Sequence, residues 1–473
     1  MPESSDLTRR DLIKTAGAGT AAVAASRIAA PAIQKVQAAG NVVTYGVVGT
    51  GSRGQYLLRH MAAMDSARCL AVCDIWEPNL NQGAKIAGTN PAKYKDYREL
   101  LARPDIDAVL VVTPLFEHYP ITRDALLAGK HVFCEKSLVF TPEEVHALRK
   151  LAHERPKQIL QVGLQRRYSQ FYQTALEMIR KGLLGKVTHV NAQWNRSDSS
   201  RSWRMSSLDP ARGKVSVWRL FREYSGGLVA ELGSHQIDVA DWIFGSAPEY
   251  ISAVGGNEFF PDGRTVYDNI QLVLKYPQGQ KVMYQSISTN RHLPLFGGAR
   301  TEFGETILGT EGTIEITVGA DNEPALGLWY YEPGPPKPTP AGQAKEKAAV
   351  SSATLTSTAS GRRGLPIFLS RDMVTGREAF LEREMKFARL WLYRKGVMLP
   401  QEDRNPVDIQ MESFFEATRT GKKPLADLEV GLADSTMVIL ANLAMDEGRR
   451  VYLREIEKMG VGAPAAPAAL KRL

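Results

Sequence analysis

The sequence predicts an α/β protein in two parts: an N-terminal doubly wound parallel sheet, then an α+β domain built on an open, mostly antiparallel sheet. Three observations predict it. Apolar strand-like runs alternate with helically spaced segments between residues 42 and 163, a glycine-rich turn follows the first run, and strand-type alternation takes over after residue 186. The 473 residues leave room for two or three domains with proper cores, and a composition 44% hydrophobic and 23% charged excludes collagen-like and wholly disordered chains.

Residues 1–39 read as a twin-arginine export signal. Arg9 and Arg10 precede a weakly apolar stretch of small residues from Thr15 to Ser26, and cleavage is expected near Ala38 or Ala39. The expected location is therefore outside the cytoplasm, in a periplasm, with the twin-arginine machinery as a partner. No run of 18 or more consecutive apolar residues occurs, so no stable membrane insertion is expected. The net charge of +8 is spread along the chain without a nucleic-acid-binding motif, so no nucleic-acid partner is expected. Cys69 and Cys73 lie four residues apart in one predicted strand, about 13 Å at strand rise, which forbids a disulfide between them. They and Cys134 read as buried thiols.

The first domain is expected over residues 40–160. Val42 to Val48 is a strand leading into Gly49-Thr-Gly51-Ser52-Arg53-Gly54, after which Gln55 to Met64 has helical spacing. In such a turn Gly49 permits the tight bend, Gly51 lets backbone approach a pyrophosphate, and Gly54 allows close helix packing, while the helix N-terminus stabilises the negative charge. The second strand, Ala67 to Asp74, ends in an acid suited to both ribose hydroxyls of adenosine. An acid there favours NAD over NADP, although Arg53 beside the loop offers a compensating charge; a helix cap is the other reading of Asp74. Strands Ala108 to Val112, His131 to Cys134 and Gln158 to Gly163 alternate with helices Tyr119 to Ala128 and Pro142 to Arg155. Their carboxyl ends at Thr113-Pro114 and Glu135-Lys136 converge with Gly49 to Gly54 and Asp74 on one crevice. This is a Rossmann arrangement.

With these motifs the sequence resembles the Gfo/Idh/MocA family, named for glucose-fructose oxidoreductase and inositol dehydrogenase. The matching residues are Gly49 to Gly54, Thr113-Pro114 with His118, Ala128 to Lys136 with its closing Glu135-Lys136, and Gly226-Gly227 through His235-Gln-Ile-Asp238. The family's glutamate-lysine pair is usually followed by proline; here Ser137 follows. The resemblance implies that Gly49, Gly51, Ser52, Arg53, Gly54, Asp74, Thr113, Pro114, His118, Glu135 and Lys136 bind the cofactor. It also implies that Lys136, Glu231 and His235 surround a reacting hydroxyl beside the nicotinamide. Aspartate is commoner in the family where this chain has Glu231.

The residues themselves support that reading. Leu228 to Phe244 reads as a helix that is apolar around most of its circumference, hence buried, yet Glu231, His235 and Asp238 fall at i, i+4 and i+7 on one stripe. Buried ionisable groups require partners or a cavity. A satisfied core histidine is the plain alternative; a zinc site is another, but no H-E-x-x-H or cysteine pair accompanies these residues, so no metal is expected. For hydride loss from a carbinol carbon, His235 is the candidate base, Lys136 the group that stabilises the oxyanion, and Glu231 the residue that orients them. Asp238, with Lys136 and His235, is assigned to substrate binding.

The second domain is expected over 161–455. Strands are read at Lys186 to Trp194, Glu249 to Asn257, Ile270 to Tyr276, Lys281 to Thr289 and Gly312 to Val318, and helices near Glu378 to Tyr393, Asp408 to Thr420 and Leu428 to Glu447. The six arginines between Arg196 and Arg222 read as a solvated loop or an interface. Residues 332–366 are rich in Pro, Gly, Ser and Thr and read as a flexible insertion; 456–473 read as a disordered tail. Family resemblance implies a homo-oligomer.

The leading expectation is an exported oxidoreductase that moves a hydride between a sugar or polyol hydroxyl and a nicotinamide dinucleotide. Free NAD is scarce outside the cytoplasm, so the cofactor is expected not to dissociate. The alternatives are a redox-neutral, NAD-dependent glycosidase or lyase acting through a transient keto-sugar, and a non-catalytic sugar or dinucleotide sensor.

Overall fold

The structure is a computed structural model that describes residues 42–196, 203–289, 303–318 and 404–459, and the backbone of short strands between 326 and 368. The expected signal at 1–39, the helix near Glu378 to Tyr393, most of the insertion and residues 460–473 lie outside the described residues.

Six strands form the first sheet: β1 Val43–Val48, β2 Ala67–Cys73, β3 Ala92–Tyr94, β4 Ala108–Val111, β5 His131–Cys134 and β6 Leu160–Val162. Their order is β3-β2-β1-β4-β5-β6 and every pairing is parallel. The strand order reverses between β1 and β4, where open α/β sheets bind ligands beyond their carboxyl ends. β4 is buried along its whole length, as an apolar run in a two-sided sheet must be. The three-residue β3 carries no apolar run long enough to betray it in the sequence.

Among the described residues, the second sheet has nine strands. β7 Val187–Trp194, β8 Tyr250–Gly256, β9 Asn269–Lys275, β10 Lys281–Ile287, β11 Phe303–Gly309 and β12 Gly312–Val318 are joined by β13 Leu326–Tyr331, β16 Ile367–Phe368 and β17 Val451–Tyr452. Among the described residues, only the β7–β10 pairing is parallel in this sheet. Alternate residues of β9 and β10 are buried, the period-2 pattern of a sheet packed on one face. Within the expected insertion, β14 Ala349–Val350 and β15 Leu355–Thr356 pair with each other.

Two helices near the chain's end differ in where they belong. The helix Pro406–Thr420 is capped by Asn405 and buries Met411, Phe414 and Phe415 in the same core as Tyr45, Val47 and Phe133. It therefore completes the first sheet's packing, although sequence order places it with the second. The helix Leu428–Glu447 is the one among the described residues long and apolar enough to cross a membrane; most of it is buried inside the fold, against both cores. Residues 456–458, expected in the tail, instead belong to the helix Leu453–Lys458, where Ile456 is buried.

All three cysteines are free and buried. Burial pushes the thiols of Cys69 and Cys73 up to about 12, so they pack as small apolar side chains.

Candidate active site

The glycine turn after β1 has the geometry its sequence requires. Gly49 has φ +94°, and a Cβ there would sit 2.5 Å from the Val112 carbonyl oxygen. A Cβ at Gly54 would lie 2.1 Å from the Gly49 oxygen, so the helix Ser52–Met61 can approach the strand only without one. At Gly51, by contrast, the nearest atom to a Cβ is 3.9 Å away. That free space lies at the start of a helix that no side chain caps, where backbone N–H groups can receive a pyrophosphate.

Asp74 stands at the end of β2. Its Oδ2 accepts from the Thr50 amide at 2.8 Å and the Thr50 hydroxyl at 3.3 Å, and its Oδ1 accepts from the Trp76 amide at 2.8 Å. The carboxylate is thus held at the glycine turn rather than capping the next helix, whose N-cap is Trp76. Burial raises its pKa, and those hydrogen bonds together with the Arg212 charge oppose the rise. Together the turn, the uncapped helix and this acid fit a dinucleotide.

Two of the expected cofactor residues serve another purpose. Arg53 does not supplement Asp74: its Nε donates to Glu135 Oε1 at 2.7 Å, tying the glycine turn to the end of β5. His118 is buried with Nδ1 2.7 Å from the Ser137 oxygen and Nε2 2.9 Å from the Thr113 oxygen. Burial lowers its pKa, and a neutral ring has one N–H, so His118 donates to one of these two carbonyls and packs between the β4 and β5 strand ends. The Lys136–Ser137 peptide bond is cis.

The segment expected as one helix from Leu228 begins with a π-helical turn, Val229–Gly233, and continues as the α-helix Ser234–Phe244. Widening a helix in this way interrupts the regular hydrogen-bond ladder and frees carbonyl groups. Lys136 uses them: its Nζ donates to the carbonyls of Ala230 and Glu231, 2.6 Å each. An ammonium has three donors, and these two bonds use two of them.

The three residues expected on one stripe have different surroundings. Glu231 accepts from Arg219 Nε at 2.8 Å; burial works to raise its carboxyl, but Arg219 and Lys136 outweigh it and hold it below its usual range. Asp238 accepts from Arg167 through both oxygens at 2.7 to 3.0 Å, in a buried pair. Its carboxylate is occupied by that guanidinium, which makes it a support of the helix rather than a substrate ligand. His235 is 6% exposed, and its Nδ1 has no hydrogen-bond partner. Burial, and then the charges of Lys136, Arg166 and Arg53, hold its imidazole well below the ordinary histidine value. The ring is therefore neutral.

Sequence reading missed the groups behind these residues. Trp194 stacks on Phe303 with ring centroids 4.2 Å apart and lies 5.9 Å from the His235 ring, an aromatic wall beside the base. Arg166 pairs with Glu305, which also accepts from Tyr172 at 2.6 Å. Asp434, from the helix Leu428–Glu447, is buried near Lys136, and its carboxyl is pushed well above the usual range by burial, then by Asp238, with Lys136 opposing. The adjacent Arg166 and Arg167, two cations at a buried strand end, were the available signal. Asp434 had none, since a lone acid in an apolar helix has no partner in nearby sequence. The arginines expected in a solvated loop fold back on the chain: Arg219 onto Glu231, Arg222 onto Asn442 and Asp446, Arg212 over Trp76.

Comparison with known proteins agrees with this construction. Residues 43–164 match the oxidoreductase family with an NAD-binding Rossmann fold, and residues 172–315 match the GFO/IDH/MocA C-terminal domain; together they cover more than half the chain. The chain belongs to the Gfo/Idh/MocA oxidoreductase family. It is 30% identical over 225 residues to a myo-inositol 2-dehydrogenase of Thermotoga maritima, covering 47% of this chain and 59% of that protein. It is 29% identical over 237 residues to a glycosyl hydrolase family 109 protein of Shewanella pealeana, covering 46% and 50%. The matches thus span about half the length of these curated relatives. The fold is similar to that of an aldose-aldose oxidoreductase from Caulobacter crescentus complexed with glycerol (TM-score 0.62, 21% identity, 87% of this chain and 99% of that one). A levoglucosan dehydrogenase in complex with NADH is similarly close (TM-score 0.63, 17% identity, 87% and 99%).

Proposed function

We propose that this family member oxidises a hydroxyl of a sugar or polyol with a tightly held NAD. The observation that carries the reading is the unpartnered, buried Nδ1 of a neutral His235 beside Lys136. A buried polar atom without a partner is costly and marks a place for a ligand.

The bound nicotinamide would supply the hydride acceptor. The chain supplies the rest. Lys136, fixed by two carbonyls, directs its remaining donor at the substrate oxygen and stabilises negative charge there as the C–H bond breaks. His235 accepts the hydroxyl proton, and its lowered pKa keeps it unprotonated for that purpose at neutral pH. Glu231 and Arg219, as a pair, hold the π turn that carries the two carbonyls. Trp194 offers an apolar ring face of the type that packs against the C–H face of a sugar. Gly51, Ser52, Thr113, Pro114 and Glu135 line the strand ends that would cradle the dinucleotide.

The twin-arginine signal motivates export to a periplasm as a folded, cofactor-loaded protein, and a homo-oligomer remains part of the proposal. The likeness to glycosyl hydrolase family 109 proteins favours one second reading, in which the hydride returns to the substrate after a glycosidic bond is eliminated. Both readings use Lys136 and His235.

The test is to denature purified protein, identify the released nucleotide, and supply the holoenzyme with a panel of sugars and glycosides. About one NAD per chain and an oxidised, uncleaved product support the proposal; a cleaved glycoside supports the second reading. Replacing both Lys136 and His235 by alanine should lower turnover by about 10²- to 10⁴-fold or more. Undiminished turnover in that double variant would overturn the site.

A further inference from the structure

Between β7 and the helix Ser234–Phe244 the chain makes a turn that is braced on itself. The amides of Arg212 and Gly213 both donate to the Asp209 carbonyl, at 3.1 and 2.8 Å. Asp209 Oδ1 accepts from the Ala211 amide at 2.9 Å, and the Asp209 amide donates to Ser216 Oγ at 2.9 Å. That hydroxyl donates in turn to the Gly213 carbonyl at 2.7 Å, and Gly213 has φ +56°. The turn presents Arg212 across the crevice to the first half, where its guanidinium lies 4.8 Å from the centroid of the Trp76 ring.

Trp76 is two residues beyond Asp74 and donates its amide to that carboxylate. Between them Ile75 is 70% exposed, a large apolar side chain beside the acid that would hold the ribose. Asp74, Ile75 and Trp76 thus form an acid and two apolar surfaces at one end of the crevice, with a cation from the other half reaching over them. This is the chemistry of an adenosine subsite: hydroxyls for the carboxylate, a flat base for the apolar and indole surfaces, and a guanidinium that can stack on either ring system.

We infer that Arg212 is a cofactor-retaining residue, which closes with Trp76 over the adenosine half of the dinucleotide and slows its release. The inference rests on the NAD reading above and gives its tight binding a physical source: dissociation requires the two halves of the clasp to part. The tip's internal bracing matters because a preorganised arginine loses little freedom when the ligand arrives.

The experiment loads wild type, Arg212→Ala and Arg212→Lys with NADH, chases with excess NAD, and follows the loss of bound NADH fluorescence. Melting temperatures are measured in parallel. Alanine should accelerate release by about 3- to 30-fold, the range of one cation–π contact, with lysine intermediate and little change in melting. Equal release rates in wild type and Arg212→Ala would overturn the clasp while leaving the NAD site standing. A wild type that neither releases NAD on denaturation nor binds added NADH would remove the reading beneath it, and the clasp with it. Should Arg212→Ala weaken NADPH binding and leave NADH release unchanged, Arg212 is a 2′-phosphate contact and the clasp is wrong.

Discussion

The cofactor cradle and the reacting centre are built in opposite ways. The cradle is made of backbone: three glycines, an uncapped helix end and one acid, nearly all within residues 49–74. The candidate reacting centre surrounds a neutral His235 with buried charges, several of them held by partners far away in sequence: Lys136 by carbonyls 94 and 95 residues on, Arg167 by Asp238 71 residues on, Arg166 by Glu305 139 residues on. The difference teaches where fragility lies. Backbone geometry fails when an atom is added, and a charge network fails when one is removed.

The largest effect should come from breaking that network. Arg167→Ala leaves Asp238 buried without its counter-ion and should cost about 3–5 kcal/mol in denaturant unfolding. Replacing both partners by apolar residues, Arg167→Met with Asp238→Leu, should recover most of the loss; a double variant as unstable as the single one would show that the pair's hydrogen bonds, and not the orphaned charge, carry the stability.

In the cradle, two neighbouring glycines should respond differently. Gly54→Ala pushes a methyl group against the Gly49 oxygen and should cost about 1–3 kcal/mol in stability. Gly51→Val fills open space and should melt like the wild type while losing nucleotide binding by at least about 10-fold. Calorimetry on the apo forms and NADH titration separate the two; loss of stability at Gly51 would erase the distinction between a packing glycine and a ligand glycine.

A smaller effect should appear with pH. Burial raises the Asp241 carboxyl to about 8, with Tyr276 donating to it at 2.5 Å. Because the folded form holds a proton that the unfolded chain releases near pH 4, this group's contribution is complete below about pH 4 and is lost progressively as pH rises from there through about 8. The slope approaches about 1.4 kcal/mol per pH unit at most. Asp241→Asn should flatten that decline between about pH 4 and 8; an unchanged profile would assign it to other carboxyls.

The contrast also explains what could be read from the sequence. Gly49 to Gly54, Asp74 and the strand ends at Thr113 and Glu135 were legible because the parallel sheet obeys local periodicity and its ligand turn has a fixed spacing. Lys136 and His235 were legible through family resemblance, and the buried position of His235 through the apolar helix around it. The π turn was not, because Val229–Gly233 has the same apolar pattern whether it winds with four or five residues per hydrogen bond. Nor were the partners legible: Glu231 meets Arg219 and Asp238 meets Arg167 through contacts that helical spacing does not encode. The burial of His118 between the Thr113 and Ser137 carbonyls was not legible either, because Ser137 lies on a different strand end.

The helix Pro406–Thr420 has a bearing on how the protein is made. Gln161 at the last strand of the first sheet donates to the Gln410 carbonyl, 249 residues later, and Phe414 and Phe415 cover the face that Tyr45 and Phe133 present. A ribosome that has delivered the whole first sheet has therefore not yet delivered its cover. Until the last part of the message is translated, that aromatic face waits for its own chain, and the nascent protein is left with a sticky half that a chaperone, or nothing, must shield.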